Sequence, residues 1–252
     1  MNYLVDSHVH IDSKEFNMDR GKVLERIKEK MDFVVNIGCD IKSSRIGVEY
    51  SKKYPFIYAT VGIHPENIGN YSYDTEKELE RLAKNPKVVA IGEIGLDYHW
   101  MIDPKEEQIE VFIEQMKIAE RLGKPVVIHT RDAMEDTLDV LSKFPNIKGI
   151  LHCYPGSVDI ALKMQKNYYF GIGGVLTFKT AKKLIEVVKG IDISRLVLET
   201  DCPYLTPEPY RGRRNEPIYV EYVAQKIAEI KEMSYEDVIK ITNENARKAY
   251  NI

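Results

Sequence analysis

Residues 87–129 read KVVAIGEIGLDYHWMIDPKEEQIEVFIEQMKIAERLGKPVVIH, and this stretch decides the fold. Both ends are short apolar runs, 87–92 and 125–129, with the length and composition of buried strands. Between them, apolar residues recur at helical spacing over 103–123. A strand, a helix and a second buried strand in succession predict a βαβ unit whose strands are parallel.

The ends of the central helix carry ordinary signals. Asp103 suits the N-cap, Pro104 the first helical position and Gly123 the C-terminal exit. A similar helical pattern follows Asp19, and 234–250 predicts a last amphipathic helix. The same alternation of strand and helix therefore extends along the chain.

Eight strands are predicted in all: 3–7, 32–37, 56–61, 87–92, 125–129, 148–152, 168–172 and 195–199. Eight βα units in 252 residues predict a (β/α)8 TIM barrel, with 1–252 as a single domain. A doubly wound open sheet is the alternative. After the last strand, 202–217 is rich in Pro and Arg and predicts a long, stiff loop.

Composition excludes several classes of protein. Lys and Arg number 36 against 39 acidic residues, so a net charge of −3 indicates no general basic surface for nucleic acid. The apolar runs are too short for a membrane helix and no leader pattern opens the chain, so we expect a cytoplasmic protein with no membrane contact. Nothing indicates an obligatory protein partner. Cys39, Cys153 and Cys202 are widely spaced and predict three reduced thiols.

Metal-binding residue types collect where the predicted strands end. In a barrel these ends meet on one face, which carries the active site. Five of the six histidines lie there, and the sixth, His99, follows the fourth strand on the same side. The candidate ligands are His8, His10, Glu93, His129, His152 and Asp201.

Imidazoles and carboxylates without thiolate suit Zn, Mn, Fe, Co or Ni. Six ligands are too many for one tetrahedral ion and predict two ions, with Glu93 as the bridge because it lies between the two histidine pairs in strand order. For any one of these histidines, a packing role stays open. It is the set that indicates a metal centre.

Seven short motifs along the chain point to one known family: 6–10 (DSHVH), 62–65 (GIHP), 92–98 (GEIGLDY), 127–131 (VIHTR), 152–156 (HCYPG), 199–205 (ETDCPYL) and 211–217 (RGRRNEP). Together they resemble the TatD family of metal-dependent DNases, in the amidohydrolase superfamily. The resemblance implies a hydrolase that cleaves DNA phosphodiesters, often as a 3′ to 5′ exonuclease. It also implies that the six candidates ligate two divalent ions, which are Zn, Mg, Mn, Fe, Co or Ni.

A mechanism follows as an expectation. A hydroxide activated by the metal attacks phosphorus, with Asp201 as ligand and general base and Glu93 as a ligand. His64 contacts the phosphate or protonates the leaving group. Glu199 is expected to orient the metal ligands. An ordinary ion pair inside the barrel is an equally good explanation for a glutamate at this position.

Substrate contacts are predicted in the loops. Arg211 and Arg213 suit phosphate, and Tyr204 suits a base of single-stranded or frayed DNA. Other aromatic residues in these loops are further candidates for stacking: Tyr98, Trp100, Phe178 and Tyr210. For the arginines, a merely solvated loop is the alternative.

Two other functions stay open. The same metal chemistry serves an ester or amide hydrolase, such as an aminoacyl-tRNA deacylase. A metal-binding or nucleic-acid-binding protein without catalysis would need neither His64 nor Glu199, which argues against it.

Overall fold

A computed structural model describes residues 3–252. Its eight strands are Leu4–Val9 (β1), Met31–Asn36 (β2), Ile57–Val61 (β3), Val88–Asp97 (β4), Val126–Arg131 (β5), Gly149–Leu151 (β6), Tyr168–Ile172 (β7) and Leu196–Leu198 (β8). All eight belong to one sheet, in the order β1 to β8 along the chain. The described pairings are parallel, and a parallel bridge joins Val9 at the end of β1 to Cys202, which follows β8.

This strand order is that of a (β/α)8 barrel, so the predicted fold is confirmed. A doubly wound sheet would place later strands on both sides of the first, and that alternative is wrong. Among the eight strands only β7 has the predicted bounds. The largest difference is at β4, which continues to Asp97 rather than ending at residue 92, and the other differences are of one or two residues.

Nine α-helices lie in the described residues: Arg20–Lys30 (α1), Ile41–Lys53 (α2), Tyr73–Ala83 (α3), Lys105–Leu122 (α4), Met134–Ser142 (α5), Val158–Met164 (α6), Lys182–Gly190 (α7), Val220–Lys231 (α8) and Tyr235–Tyr250 (α9). Within residues 3–252, none has the length and apolar character needed to cross a bilayer. The cytoplasmic location stays a prediction.

The ends of α4 correct one expectation. Pro104, not Asp103, occupies the N-cap, while the main-chain oxygen of Asp103 accepts a hydrogen bond from Gln108. At the other end Gly123 takes a left-handed conformation with φ of 61°, as predicted. The 202–217 segment is a loop, closed by a short 3-10 turn at Pro217–Tyr219.

The chain forms two compact units, interleaved in sequence. One consists of the residues up to Asn36 together with Cys153–Lys248, and it contains β1, β2, β7 and β8. The other consists of Ile37–His152 and Ala249–Ile252, and it contains β3 to β6.

In the first unit, every residue of β1 is buried. This includes the polar side chains of Asp6, Ser7 and His8. A buried polar group needs hydrogen-bond partners: Ser7 donates to the oxygen of Leu198, the last residue of β8, and Asp6 accepts from Thr200 shortly after it.

In the second unit, β4 is the longest strand, and its ten residues are all buried. Its register against β5 shifts between Ile91 and Ile94, which is a β-bulge at Gly92 and Glu93. Gly92 is required there because a Cβ would lie 2.7 Å from the Cβ of Val127. The strand continues past this shift to Asp97.

Two glutamines of α4 attach this helix to the ends of β3 and β4. Gln115 accepts a hydrogen bond from the main-chain nitrogen of Ile63 and donates to its oxygen, at 2.7 and 3.0 Å. Gln108 does the same with Asp97, at 2.9 and 3.1 Å. Both glutamines are buried because they satisfy main-chain groups where strands give way to loops.

Candidate metal centre

The first unit brings three of the predicted ligands together. His10 Nε2 lies 3.2 Å from Asp201 Oδ1, His8 Nε2 lies 3.7 Å from the same oxygen, and the two imidazole nitrogens are 3.3 Å apart. His8 and His10 are two residues apart at the end of β1, so their side chains lie on the same face of the strand, and their ring centres are 5.1 Å apart.

Asp6 aligns the segments that carry these ligands. One of its carboxylate oxygens accepts from the main-chain nitrogens of His8 and Thr200, at 3.1 and 3.0 Å, and the other accepts from the Thr200 hydroxyl at 2.5 Å. Burial raises the pKa of Asp6 well above its usual value, although these hydrogen bonds oppose the rise. Sequence reasoning quoted Asp6 within a motif but assigned it no role.

The backbone of Asp201 is also specialised. Its φ is 55°, in the left-handed region, and its main-chain nitrogen donates to the oxygen of His8 at 3.0 Å. Asp and Asn tolerate this conformation better than most residues do. The conformation directs the carboxylate toward the two imidazoles.

Glu199 is fully buried two residues before Asp201. Its Oε1 accepts from the main-chain nitrogen of Cys153 at 2.6 Å. The carboxylate lies against Gly171 of β7, where a Cβ would be 2.2 Å from Oε2. Glu199 therefore fixes the main chain directly after His152.

In the second unit, Glu93 is surrounded by imidazoles. Its Oε1 lies 2.9 Å from His129 Nδ1, 3.8 Å from His152 Nε2 and 3.9 Å from His64 Nε2. The Sγ of Cys39 is 3.8 Å from the other oxygen, Oε2. Within residues 3–252, the thiols of Cys39, Cys153 and Cys202 form no disulfide, as predicted.

Asp97 is a member of this cluster that sequence reasoning missed. Its Oδ2 lies 3.0 Å from His129 Nε2, so the imidazole is held between two carboxylates. Burial alone would lower the pKa of His129, but the hydrogen bonds with Asp97 and Glu93 outweigh it and raise that pKa to about 9. Burial likewise opposes ionisation of Asp97, yet the bond with His129 lowers its pKa to about 2.

The tautomer of His64 follows from a main-chain contact. Its Nδ1 accepts from the main-chain nitrogen of Glu66 at 3.2 Å, and a neutral ring in that state carries its hydrogen on Nε2. His99 lies outside the cluster, in the loop after β4, with its Nδ1 3.3 Å from Asp132.

The three arginines of 211–214 differ in their contacts. Arg214 pairs with Asp19 through both terminal nitrogens, at 2.6 and 2.8 Å, and anchors the loop. Arg211 and Arg213 are exposed. Their guanidinium groups lie over aromatic rings, Arg211 at 4.0 Å from the centre of Phe178.

The aromatic residues predicted to contact substrate also differ in their exposure and in their partners. Tyr204 is 54% exposed and its ring centre lies 6.2 Å from that of His10. The hydroxyl of Tyr98 donates to Asp136 at 2.7 Å. Tyr210 stacks on Tyr219, with ring centres 4.7 Å apart, so its ring already has a partner.

The donor sets fit a divalent cation. Ligands at about 2.0–2.1 Å from a tetrahedral zinc ion lie about 3.3 Å from one another. The nitrogen and oxygen atoms of His8, His10 and Asp201 are 3.2–3.7 Å apart, which matches this spacing. Glu93 with its neighbouring imidazoles offers a second set of the same chemistry.

The sequence profile of the TatD related DNase family matches residues 5–251. The chain belongs to the TatD family. A relative from Bacillus subtilis, named as the uncharacterized metal-dependent hydrolase YabD, is 44% identical over 253 residues, which is 99% of each chain. The TatD homologue YJJV of Escherichia coli superposes with a TM-score of 0.90 at 25% identity, over 100% of this chain and 98% of that one.

An uncharacterized amidohydrolase from Saccharomyces cerevisiae shares the fold, with a TM-score of 0.85 at 22% identity over 98% of this chain and 99% of that one. With its relatives, this TatD-family chain is a metal-dependent hydrolase. The predicted family and enzyme class are thereby confirmed.

Proposed function

We propose that this chain is a two-metal deoxyribonuclease that removes nucleotides from the 3′ end of single-stranded or frayed DNA, with residues 1–252 as one catalytic domain. One ion is assigned to His8, His10 and Asp201, and the other to Glu93, His129 and His152. The observation that carries the proposal is the 3.2–3.7 Å spacing of the first three donors. That Glu93 is shared by both ions stays a prediction.

Divalent ions bound at these residues would supply Lewis acidity, an acidified water and positive charge for a phosphate. Asp201 is then the base that takes up the proton of the attacking water, since its side chain is 17% exposed and its main-chain nitrogen is bonded to the oxygen of His8. His64 donates a hydrogen bond from Nε2 to the leaving oxygen and so stabilises the charge that develops there. Glu199 acts as a positioning residue through the main chain of Cys153.

Three loop residues supply the substrate contacts. Arg211 and Arg213 have exposed guanidinium groups, which suit phosphates beyond the scissile one. Tyr204 has an exposed ring near His10, which suits a base at the 3′ end. These contacts favour a polyanionic substrate over a neutral ester.

The test compares substrates and variants. Protein loaded with Mg, Mn or Zn is incubated with single-stranded and duplex DNA labelled at the 5′ or the 3′ end, and with an aminoacyl ester. We expect mononucleotide release from the 3′ label at once and a shrinking ladder from the 5′ label. Hydrolysis of the ester alone would refute the DNase proposal and support the deacylase.

Asp201→Asn is the decisive variant because Asn keeps the left-handed conformation and removes only the carboxylate charge. We expect a loss of about 100- to 10,000-fold in kcat, the usual range for a general base. Asp74→Asn, at an exposed carboxylate on α3, is the control and should keep full activity. Equal activity of the two variants would remove Asp201 from the mechanism.

Metal content tests the assignment of ligands. In the His8→Ala/His10→Ala double variant, elemental analysis should find one ion per chain where the wild type holds two. The remaining ion is expected because Glu93 and His129 lie in the other unit and keep their 2.9 Å contact. Two ions still bound in the double variant would contradict the assignment.

A further inference from the structure

The loop between β4 and α4 exposes three apolar side chains in a row. Trp100, Met101 and Ile102 are 60%, 43% and 63% exposed. Trp100 is the only tryptophan of the chain. A single exposed apolar residue is ordinary, but an indole left in water costs free energy unless something covers it.

The position of this loop is set by the metal cluster. Oδ1 of Asp97 accepts from the main-chain nitrogens of His99 and Trp100, at 2.9 and 3.1 Å, while Oδ2 of the same carboxylate contacts His129 Nε2 at 3.0 Å. The main chain of Trp100 is therefore bound to the carboxylate that holds a predicted ligand. Asp97 therefore links His129 Nε2 to the main chain of Trp100 through two direct contacts.

The surroundings of the indole suit a nucleotide. The guanidinium of Arg131, two residues after His129 on β5, lies over the ring at 5.6 Å from its centre and is exposed. The ring of His99 packs edge-on to the indole, with centres 4.8 Å apart. An aromatic face beside an exposed guanidinium is the combination that binds a base and its phosphate without regard to sequence.

We propose that Trp100 is the stacking platform for a nucleobase of the DNA strand and that Arg131 pairs with a phosphate next to that base; this inference rests on the proposed DNase function. Among the aromatic residues in these loops, Tyr98 bonds to Asp136 and Tyr210 stacks on Tyr219, whereas Trp100 is 60% exposed and its neighbours are an exposed cation and an imidazole. Arg131 supplies the positive charge that a phosphate requires, so the charge of the patch fits a nucleotide.

Because Trp100 is the sole tryptophan, its fluorescence reports on the site directly. Full-length protein in EDTA, which cannot cleave, is titrated with a single-stranded octathymidylate. We expect the DNA to quench the tryptophan fluorescence until the binding site is saturated. An abasic phosphodiester of the same length should bind through its charge without the quenching, because stacking needs a base.

Substitutions distinguish base stacking on Trp100 from nonspecific binding to exposed apolar side chains. Binding of a dye-labelled octathymidylate, followed by anisotropy, should weaken about 5- to 100-fold in Trp100→Leu and be retained in Trp100→Phe. Ile102→Ser, which removes an equally exposed apolar side chain, is the matched control and should bind as the wild type does. Arg131→Gln should weaken binding of the abasic chain as well. In the metal-loaded enzyme, Trp100→Leu should raise KM and leave kcat unchanged.

Two results would overturn the inference. DNA binding by anisotropy with no change in tryptophan fluorescence would exclude Trp100 while leaving the DNase proposal intact. Equal losses in Trp100→Leu and Ile102→Ser would indicate an apolar patch for another protein. If the wild type neither binds nor cleaves DNA, the proposed function itself has failed.

Discussion

Gly171→Ala tests whether Glu199 positions the metal centre. In β7 the Cα of Gly171 lies against the Glu199 carboxylate, and an added Cβ would be 2.2 Å from Oε2, 2.6 Å from Cδ and 2.7 Å from Oε1. The strand backbone at this position accepts any residue, so the substitution acts through the carboxylate alone.

The magnitude follows from the geometry. To restore ordinary contact at about 3.5 Å, the carboxylate must move by about 1 Å. Its 2.6 Å hydrogen bond from the Cys153 nitrogen does not survive that movement. Overpacking costs about 1–3 kcal/mol, and loss of a buried hydrogen bond to a carboxylate costs about as much again, so we expect the free energy of unfolding to fall by about 2–6 kcal/mol.

Activity should fall as well. The main chain of Cys153 directly follows His152, so release of this bond lets a predicted ligand shift. A displacement of about 1 Å at a reacting centre costs up to about 100-fold in rate. We therefore expect kcat to fall by about 10- to 100-fold, with KM little changed.

Gly173→Ala is the matched control. Its added Cβ would lie 3.6 Å from Glu199 Cγ, which is ordinary contact. Urea unfolding and initial rates of the metal-loaded proteins measure both effects. If Gly171→Ala matches Gly173→Ala in stability and kcat, the packing of Glu199 against β7 is refuted; a loss of stability with full kcat would leave Glu199 a structural role only.

Two predictions concern stability alone. Gln115→Leu removes both hydrogen bonds to the main chain of Ile63 and should lower the free energy of unfolding by about 2–4 kcal/mol in urea, because two buried groups lose their partner; a change below about 1 kcal/mol would contradict this. Glu78 has its pKa lowered to about 2, chiefly by the hydrogen bond from Arg81, so its contribution is present above pH 4.5 and is lost as the pH falls toward 2. Because that arginine is 65% exposed, the contribution is about 1 kcal/mol, and the stability difference between wild type and Glu78→Gln should disappear at low pH; a difference independent of pH would show that the ion pair does not stabilise the protein.

The strand order and the ligand candidates could be predicted because both depend on local pattern. Buried strands read as short apolar runs, and a parallel barrel places their ends on one face. Pairs such as His8 and His10 need only the two-residue repeat of a strand to point the same way. The distances between strands, which decide whether candidates form one cluster or several, are not written in that pattern.

Asp97 was missed for a specific reason. Gly92 and Gly95 read as the end of a strand, but β4 continues past the bulge at Gly92, with Glu93 and Asp97 directed to one side. The two-residue repeat from Glu93 to Asp97 was the available signal. Gln115 was invisible for another reason, since a polar residue on a core-facing helix looks solvent-exposed until its main-chain partners are known.

The two carboxylates of β4 hold the imidazole of His129 independently of the side chains in the loop that follows the strand. Glu93 and Asp97 meet opposite nitrogens of His129, so the ring cannot turn without losing one of them, and its orientation is set by a buried strand. The loop that follows is bound to the Asp97 carboxylate through the main-chain nitrogens of His99 and Trp100. Side chains in that loop can therefore change without disturbing the imidazole, because the amide groups that anchor the loop are common to every residue type except proline.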